Sequence, residues 1–412
     1  MVQVAEKTLA GFAVLPGRAW LAGEGREQSV RDALAELRST SADRDRRSTS
    51  DREAVNRLKR LGFGALRFPD TDGTPALDLP EAMSVVMDVA AADSSIAHAF
   101  RSHFGFLEGL LLTPASEARS TWLQRIAAGQ TCGSAVTERA TARPMEIEST
   151  LRPDGDGYTI DTEKYYTTGT LYADWLFLMA RSEDRSLQLV TIPTLREGVE
   201  LLDDFDGIGQ RASASGGVRF TGVHIRKSEV EPLEDLPEVN RYRSSLQQLY
   251  LAALLAGIAS AALEDARSFV LKRARSAAHG HADQPRNDLF VQQIIGRIAA
   301  RATIARAGVL SAAAKLDRTF EALRRGDSLG DLLVEGAVEV AKIHSIVAEL
   351  VVTSGDLVLE TGGGSAVSRS TALDRHWRNA RTIAAHSPMY YKSQVVGDAI
   401  LNDTPPPTNG YF

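Results

Sequence analysis

The chain contains one cysteine, Cys132, so no internal disulfide can form and nothing points to an oxidising compartment. No feature of its surroundings lowers the pKa of that thiol, which reads as inert. A surplus of positive charge is also missing. The net charge of −6 gives no reason to expect nucleic acid or an anionic membrane as partner. No apolar run reaches the roughly 20 residues a membrane span needs. The longest, Leu249 to Leu263, is Ala-rich, ends at Glu264 and Asp265, and reads as a buried helix. The opening MVQVAEKTLAGF lacks a basic segment followed by a long apolar stretch, so no secretory signal is expected and the cytoplasm is the default location. Metal-ligand clusters are lacking too: His279 and His281 have only Asp283 near them in sequence, so no metal is expected.

What is present suits a large folded protein. With 412 residues, 43% of them hydrophobic, the chain can bury two or three packed domains. Three zones follow, at 1–128, 129–240 and 241–412. In the first, Val55, Leu58 and Leu61, then Met83, Val86 and Val89, place apolar residues on helical faces. Ser50 or Asp51 is the expected N-cap of a helix starting near Arg52. The charged stretch 39–53 reads as a solvated helix start or loop, and 69–75 as a loop.

The second zone alternates. Asp154-Gly155-Asp156-Gly157 marks a tight turn into a strand at Tyr158–Ile160. Trp175–Ala180 reads as a buried strand, Leu187–Ile192 as a strand that stops at Pro193, and Val218–Ile225 as a short strand pair. Together they predict a small antiparallel barrel or sandwich. The third zone is helical, with stripes at Leu246, Leu249, Leu254, Ile258 and Ala262, at Ile294, Ile298 and Arg301–Ile304, and at Val334, Val338, Ile343, Val347 and Leu350. Long helices with short connections predict a bundle. The expected fold class is therefore α+β: an N-terminal helical domain, a central small β-barrel or sandwich, and a C-terminal four-helix bundle.

That order, with four separated motifs, resembles the acyl-CoA dehydrogenase superfamily. The motifs are Val136-Thr137-Glu138, Lys164–Gly169 with Ala173-Asp174, Gly207–Gly216, and Asp374–Arg381. Within it, Ala91–His98, Trp377–Thr382 followed by His386-Ser387-Pro388, and Tyr391-Lys392 through Asn402 resemble the flavin-dependent monooxygenase branch, that of dibenzothiophene monooxygenase and sulfur-acquisition enzymes. The dehydrogenase base, a Glu followed by Gly, falls here at Ser387-Pro388. A serine without a partner is a poor base, and the second family position, near Leu251–Leu255, has no carboxylate either.

The resemblance implies a two-component enzyme. It takes reduced FMN, with FAD the alternative, from a separate flavin reductase, and uses a flavin C4a-hydroperoxide made with O2 to oxygenate a small substrate. Sulfur compounds come first: sulfides, sulfoxides, sulfones or sulfinates. Amine or amino-sugar N-hydroxylation, an acyl-CoA dehydrogenase or oxidase with a displaced base, and a flavin-free binding homologue are the alternatives. His386 matches the group nearest the peroxide, His98 one that orients substrate or peroxide, and Thr168 a hydroxyl beside the flavin N5. Ser134, Val136, Thr137, Tyr166 and Thr168 match flavin-ring positions. Arg275 matches a phosphate arginine, and Arg375 with Gly363 and Ser365 are further candidates, contributed across a subunit boundary. Ser102, Phe205 and Ile383 match substrate-pocket positions; Phe205 keeps the aromatic there, whereas Ser102, Ile383 and the flavin-side Ser134 depart from the branch, as does the loop Arg139–Pro144. The flavin scaffold thus carries over better than the substrate. A homotetramer built through the C-terminal bundle is implied, with the Pro405–Phe412 tail reaching a neighbour.

Read without the resemblance, the same residues have plainer explanations. His386 before Ser-Pro is a turn residue, His98 and His344 are packed core histidines, and His103 is structural or at a pocket edge. Thr167 and Thr168 are strand residues, Arg275 is a surface charge, and Trp377 and Phe205 are packing anchors.

Overall fold

The computed structural model describes residues 26–70, 73–139, 141, 146–233, 236–272, 275–276, 278–407 and 412. Most of the loop after Glu138, the Arg273-Ala274 pair before Arg275, and tail residues 408–411 lie outside the described residues. Among the described residues six helices come first: α1 (Arg26–Arg47), α2 (Arg52–Arg60), α3 (Leu79–Ala92), α4 (Ser94–His98), α5 (Arg101–Leu112) and α6 (Glu117–Ala127). Asp51 caps α2 by accepting from the Ala54 amide. Asp78 and Glu81 close a reciprocal capping box on α3, with Pro80 in its first turn where a missing N–H costs nothing.

The charged stretch at 39–53 differs from the solvated reading. Its first part continues α1, and Arg44 and Asp45 are buried. Arg44 donates to Asp93 (2.5 Å) and to Asp51 (3.0 Å), and Asp45 accepts from Arg378 (2.6 Å). Partners more than forty residues away turn a charge run into a buried ionic seam, which composition alone cannot reveal.

Among the described residues eight strands follow: β1 (Cys132–Ala135), β2 (Arg152–Asp154), β3 (Gly157–Lys164), β4 (Trp175–Arg181), β5 (Leu187–Pro193), β6 (Val199–Leu201), β7 (Val218–Arg226) and β8 (Val230–Pro232). They form two four-stranded sheets, ordered β1-β4-β5-β8 and β2-β3-β7-β6. Ala135, Leu176, Leu178 and Val190 from the first and Ile160, Phe220, Val223 and Ile225 from the second share one apolar layer, so the unit is a sandwich. Two details correct the sequence reading. The β1–β4 pair is parallel, so the sandwich is mixed rather than antiparallel. Residues 218–225 form one bulged strand, not a pair. Thr221 and Gly222 stand opposite Asp161, and Gly222 takes φ +55 while its amide donates to Asp161 (2.7 Å).

The last zone holds α7 (Pro237–Lys272), α8 (Leu289–Arg325), α9 (Leu332–Glu360), α10 (Asp374–Ala384) and α11 (Met389–Asn402). The first three pack mutually, and α10 and α11 share the fourth position against α9. Helix α7 is long and apolar enough to cross a membrane by length and composition, but most of its apolar window is buried in the protein. It is the axis of the molecule, touching α3, α5, α8, α9 and α10. At Gly257 a Cβ would lie 2.5 Å from the Ala90 Cβ, so only glycine allows this crossing of α3. On α9 the buried stripe runs Ala337, Val340, Ala341, His344, Val347, Ala348 and Val351, offset from the expected one, because this helix is covered on more than one side. Ile304 of α8 is exposed.

Candidate active site

Three separate pieces of chain meet beside α7. The first is the α4–α5 corner. Asp93 caps α4 through the Ser95 and Ile96 amides (2.9 and 3.2 Å), and this short helix ends at His98. His98 is buried, and its Nδ1 faces Gln210 Oε1 at 3.1 Å. An amide oxygen only accepts, so Nδ1 carries the proton and Nε2 presents a lone pair. That Nε2 is buried with no hydrogen-bond partner. Burial, with Arg101 adding to it, pushes the His98 pKa down to about 3, so the ring is neutral.

The second piece is the 210–216 turn. Gln210, with φ +56, is locked from three sides. Its amide nitrogen Nε2 donates to Ser94 Oγ (2.9 Å), its backbone N–H donates to Asn379 Oδ1 (2.6 Å), and its carbonyl accepts from Ser213 Oγ (2.6 Å). The hydroxyl relay continues from Ser213 to Ser215 (2.7 Å) and on to Thr168 (2.8 Å). Gly169, at φ +80, brings this strand end against α4, where a Cβ would sit 1.8 Å from the Ala99 carbonyl oxygen. Ser102 and Ser134 hydroxyls pair at 2.8 Å, tying α5 to β1. Thr137 and Tyr165 bridge, so 134–137 and 165–168 run side by side as a ledge, with Tyr166 at φ +54 and 60% exposed.

The third piece is the α10–α11 turn. Arg101 Nη1 lies 2.9 Å from His386 Nε2, and His386 Nδ1 lies 3.3 Å from Ser387 Oγ, which donates to Gln248 Oε1 (3.0 Å) on α7. A guanidinium only donates, so His386 Nε2 is the acceptor and Nδ1 bears the proton. The ring remains open to solvent at one edge, yet packing around it, then Arg101, His98, His344 and Lys392, hold its pKa well below the usual imidazole value. Lys392 is buried one turn into α11, and burial brings its pKa down to about 7. Its Nζ stands 4.8 Å from the centroid of the Phe412 ring.

The remaining candidates fall elsewhere. Ile383 is sealed in the main apolar core, and Phe205 is half-buried against Gly207. Val136 is half-buried on the ledge. Arg275 is exposed beyond the end of α7, and Gly363, at φ +51, lies in the turn after α9, whose Gly362 abuts Phe269 of α7. Arg375 is paired with Asp265 and donates to the Ala372 carbonyl (2.9 Å), and His376 Nε2 also reaches Asp265 (2.8 Å). These partners hold the Asp265 carboxyl well below its usual range. Asp265 lies seventeen residues beyond Gln248 on α7, about 26 Å along the helix. His98, His386, Thr168, Ser102 and Ser134 therefore gather at one end of α7, and Arg275, Gly363 and Arg375 at the other.

Sequence reasoning had no signal for Arg101, Gln248 or the placement of His344, and Asn379 lay inside a quoted motif without a role. Gln210 and Ser215 lay inside a quoted motif without a role. Lys164, also in a motif, is fully buried and bonded to Glu138, Ser149 Oγ (2.8 Å) and the Met179 carbonyl (2.9 Å), a structural staple of the sandwich. The buried Cys132 thiol is pushed far up by burial. Among the described residues no group of three or more His, Cys, Asp or Glu could hold a metal ion.

Comparison with known proteins agrees across nearly the whole chain. Residues 26–130 match the acyl-CoA dehydrogenase N-terminal domain family, and residues 249–390 its C-terminal domain family. Dibenzothiophene monooxygenase of Rhodococcus erythropolis is 30% identical over 395 residues, covering 91% of this chain and 93% of that protein. The probable FMNH2-dependent monooxygenase SfnC of Pseudomonas putida is 27% identical, covering 93% and 96%. The crystal structure of FMN-bound TdsC from Paenibacillus sp. A11-2 superposes with a TM-score of 0.85 at 25% identity, covering 96% and 100%. The two helical zones and the sandwich between them agree with these matches: the chain belongs to the flavin-dependent monooxygenase branch of the acyl-CoA dehydrogenase superfamily.

Proposed function

We propose that the protein is a reduced-flavin-dependent monooxygenase that places one oxygen atom of O2 on a small sulfur compound. The observation that carries this reading is the Arg101–His386–Ser387–Gln248 chain. Where a dehydrogenase keeps its carboxylate base, this chain has a buried hydroxyl committed to donating to an amide. No proton alpha to a thioester could be taken there.

The residues fit a flavin mononucleotide. The 134–137 and 165–168 ledge offers backbone edges, the Ser134 and Thr168 hydroxyls and the exposed face of Tyr166, and the unpartnered His98 Nε2 lies at the same end of the fold. Ser134, Val136, Thr137, Tyr166 and Thr168 would hold the ring system. Arg275, Gly363 and Arg375 lie farther along α7 than one such molecule reaches, so any phosphate contact from them would serve the flavin of a neighbouring subunit in a homotetramer. When bound in its reduced form, FMN supplies the two electrons that activate O2; a separate flavin reductase would deliver it.

The protein's own part is positional. His98, neutral and fixed by Gln210, presents a lone pair to a hydrogen-bond donor. His386 is held by Arg101 and Ser387 at the solvent-open edge. The apolar packing of α3, α7 and α9 excludes water from the interior side. Overall, substrate, O2, two electrons and two protons give the S-oxygenated product and water. The test is incubation with FMN, a flavin reductase, NADH, methyl phenyl sulfide or methanesulfinate, and 18O2. One labelled oxygen atom in the product is expected. Unlabelled substrates, together with anaerobic bleaching of bound FAD by an acyl-CoA, would establish the dehydrogenase reading instead.

A further inference from the structure

The direction of the hydroxyl relay behind Thr168 follows from its inner end. Ser213 Oγ donates to the Gln210 carbonyl (2.6 Å), because a carbonyl only accepts. With that proton spent, the Ser213–Ser215 contact (2.7 Å) is donated by Ser215, and the Ser215–Thr168 contact (2.8 Å) by Thr168. Ser213 and Ser215 are buried, so bulk water does not compete for these protons. Thr168, half-buried at the ledge, keeps only lone pairs for whatever lies there. Its neighbours do not replace the missing donor: Thr167 Oγ1 donates to the Gly216 carbonyl (2.9 Å) and Thr170 Oγ1 to the Ser134 carbonyl (3.0 Å). The other oxygen of Gln210 treats His98 in the same way. Oε1 takes the Nδ1 proton (3.1 Å) and leaves Nε2 a buried acceptor without a partner. Two proton chains thus end on one residue, which rests through its side-chain Nε2 on Ser94 (2.9 Å) and through its backbone N–H on Asn379 (2.6 Å).

We propose that Gln210, Ser213 and Ser215 are positioning residues that make Thr168 and His98 hydrogen-bond acceptors only, and that this polarity selects reduced over oxidised flavin. This rests on the ledge binding FMN, as in the reading above. The oxidised ring system has a single N–H and otherwise offers carbonyl oxygens and bare ring nitrogens, all of them acceptors. Reduction adds two electrons and two protons, FMN + 2e⁻ + 2H⁺ → FMNH2, and turns ring nitrogens from acceptors into N–H donors. Against an acceptor-only hydroxyl, the oxidised ring sets lone pair against lone pair. The reduced ring completes a hydrogen bond there. The difference between a made bond and two opposed acceptors is worth about tenfold in affinity. The serines touch neither flavin nor substrate. They act only through the direction in which Thr168 points its proton.

The test is binding, not turnover. The full-length protein is titrated anaerobically with FMN and with dithionite-reduced FMN, without substrate, and the two dissociation constants are compared in wild type, Ser215→Ala and Ser213→Ala. Wild type is expected to bind the reduced form at least about tenfold more tightly. Ser215→Ala removes the oxygen that takes the Thr168 proton, and Ser213→Ala frees Ser215 to donate toward Thr168. Either change lets Thr168 donate outward, so oxidised FMN should bind more tightly, reduced FMN less, and the preference should shrink about tenfold. The midpoint potential of the bound flavin should fall by about 30 mV to match. A merely structural role would weaken both forms alike and leave ratio and potential unchanged. Ser215→Thr, which keeps the hydroxyl, should restore the preference. If the serine variants do not fold, Thr168→Val carries the same test, with reduced FMN bound less tightly and oxidised FMN no less. An unchanged ratio in the variants, or equal binding of the two forms by wild type, overturns the proposal and leaves the monooxygenase reading standing. No binding of either form by wild type overturns both.

Discussion

Arg101 and His386, 285 residues apart, meet at 2.9 Å with the guanidinium as donor, and this contact fixes the tautomer of the imidazole. His386 Nε2 is an acceptor as long as Arg101 stays. The proton then sits on Nδ1, toward Ser387, and donation through Nε2 requires the arginine to move.

Replacing Arg101 by Gln removes the first charged neighbour that depresses His386. The imidazole pKa is expected to rise toward, without reaching, its ordinary value of 6.5, since burial, the larger cause, remains. An NMR pH titration of the His386 ring resonances measures this. An unchanged titration would mean that the pair does not persist in solution.

His386→Ala should retain reduced-FMN binding but lose coupling. Product formation is expected to fall about a hundredfold, with hydrogen peroxide released in its place, as for removal of a positioned proton-handling group. Parallel assays of product and peroxide decide it; unchanged coupling would reduce His386 to a turn residue.

Acid should destabilise the fold through His103. Its Nε2 donates to the Gly64 carbonyl (2.8 Å) while its Nδ1 accepts from the Cys132 amide (3.2 Å), so the native ring is neutral, and burial lowers its pKa to about 4. The unfolded ring, with pKa near 6.5, binds more protons between these values. Stability is therefore full above pH 6.5 and declines as pH falls toward 4, by about 2 kcal/mol from this group at pH 5. Urea unfolding at pH 7.5 and 5 should show that loss in wild type and a smaller one in His103→Gln. His98 contributes in the same direction, with a native pKa of about 3.

Gly169→Ala should be among the most damaging single changes. The residue sits at φ +80, and the added methyl meets the Ala99 carbonyl oxygen at 1.8 Å. Strain and displacement together are expected to cost at least about 2 kcal/mol. FMN affinity should fall with stability, because the same contact holds Thr168 beside α4. A thermal melt with and without FMN measures both; a variant as stable as wild type would contradict the close approach.

Local signals were legible in the sequence. Asp51 caps its helix, the Asp154–Gly157 turn joins β2 to β3, and Pro193 ends β5. Each depends on a few neighbouring residues and backbone geometry. Longer-range facts were not legible. The 39–53 charge run looked solvated because its partners, Asp93 and Arg378, lie far along the chain. The stripe on α9 was misplaced because a helix covered on several sides has no single apolar face. Two candidate groups, one at Thr168 and His386 and one at Arg375, proved to stand at opposite ends of α7, which spacing along the chain could not show.

The sequence by itself determined the element types and their order, because periodicity, caps and turns are written in nearest-neighbour chemistry. It also determined that neither Ser387 nor the Leu251–Leu255 stretch offers a carboxylate, since that is a matter of residue identity. Only the tertiary structure decided which donor meets which acceptor. Arg101 reaches His386, Gln210 bridges Ser94, His98 and Asn379, and His344 is left without a partner. Protonation, tautomer and the energetic weight of a polar group follow from burial and distance, and both arise only when separated segments pack together.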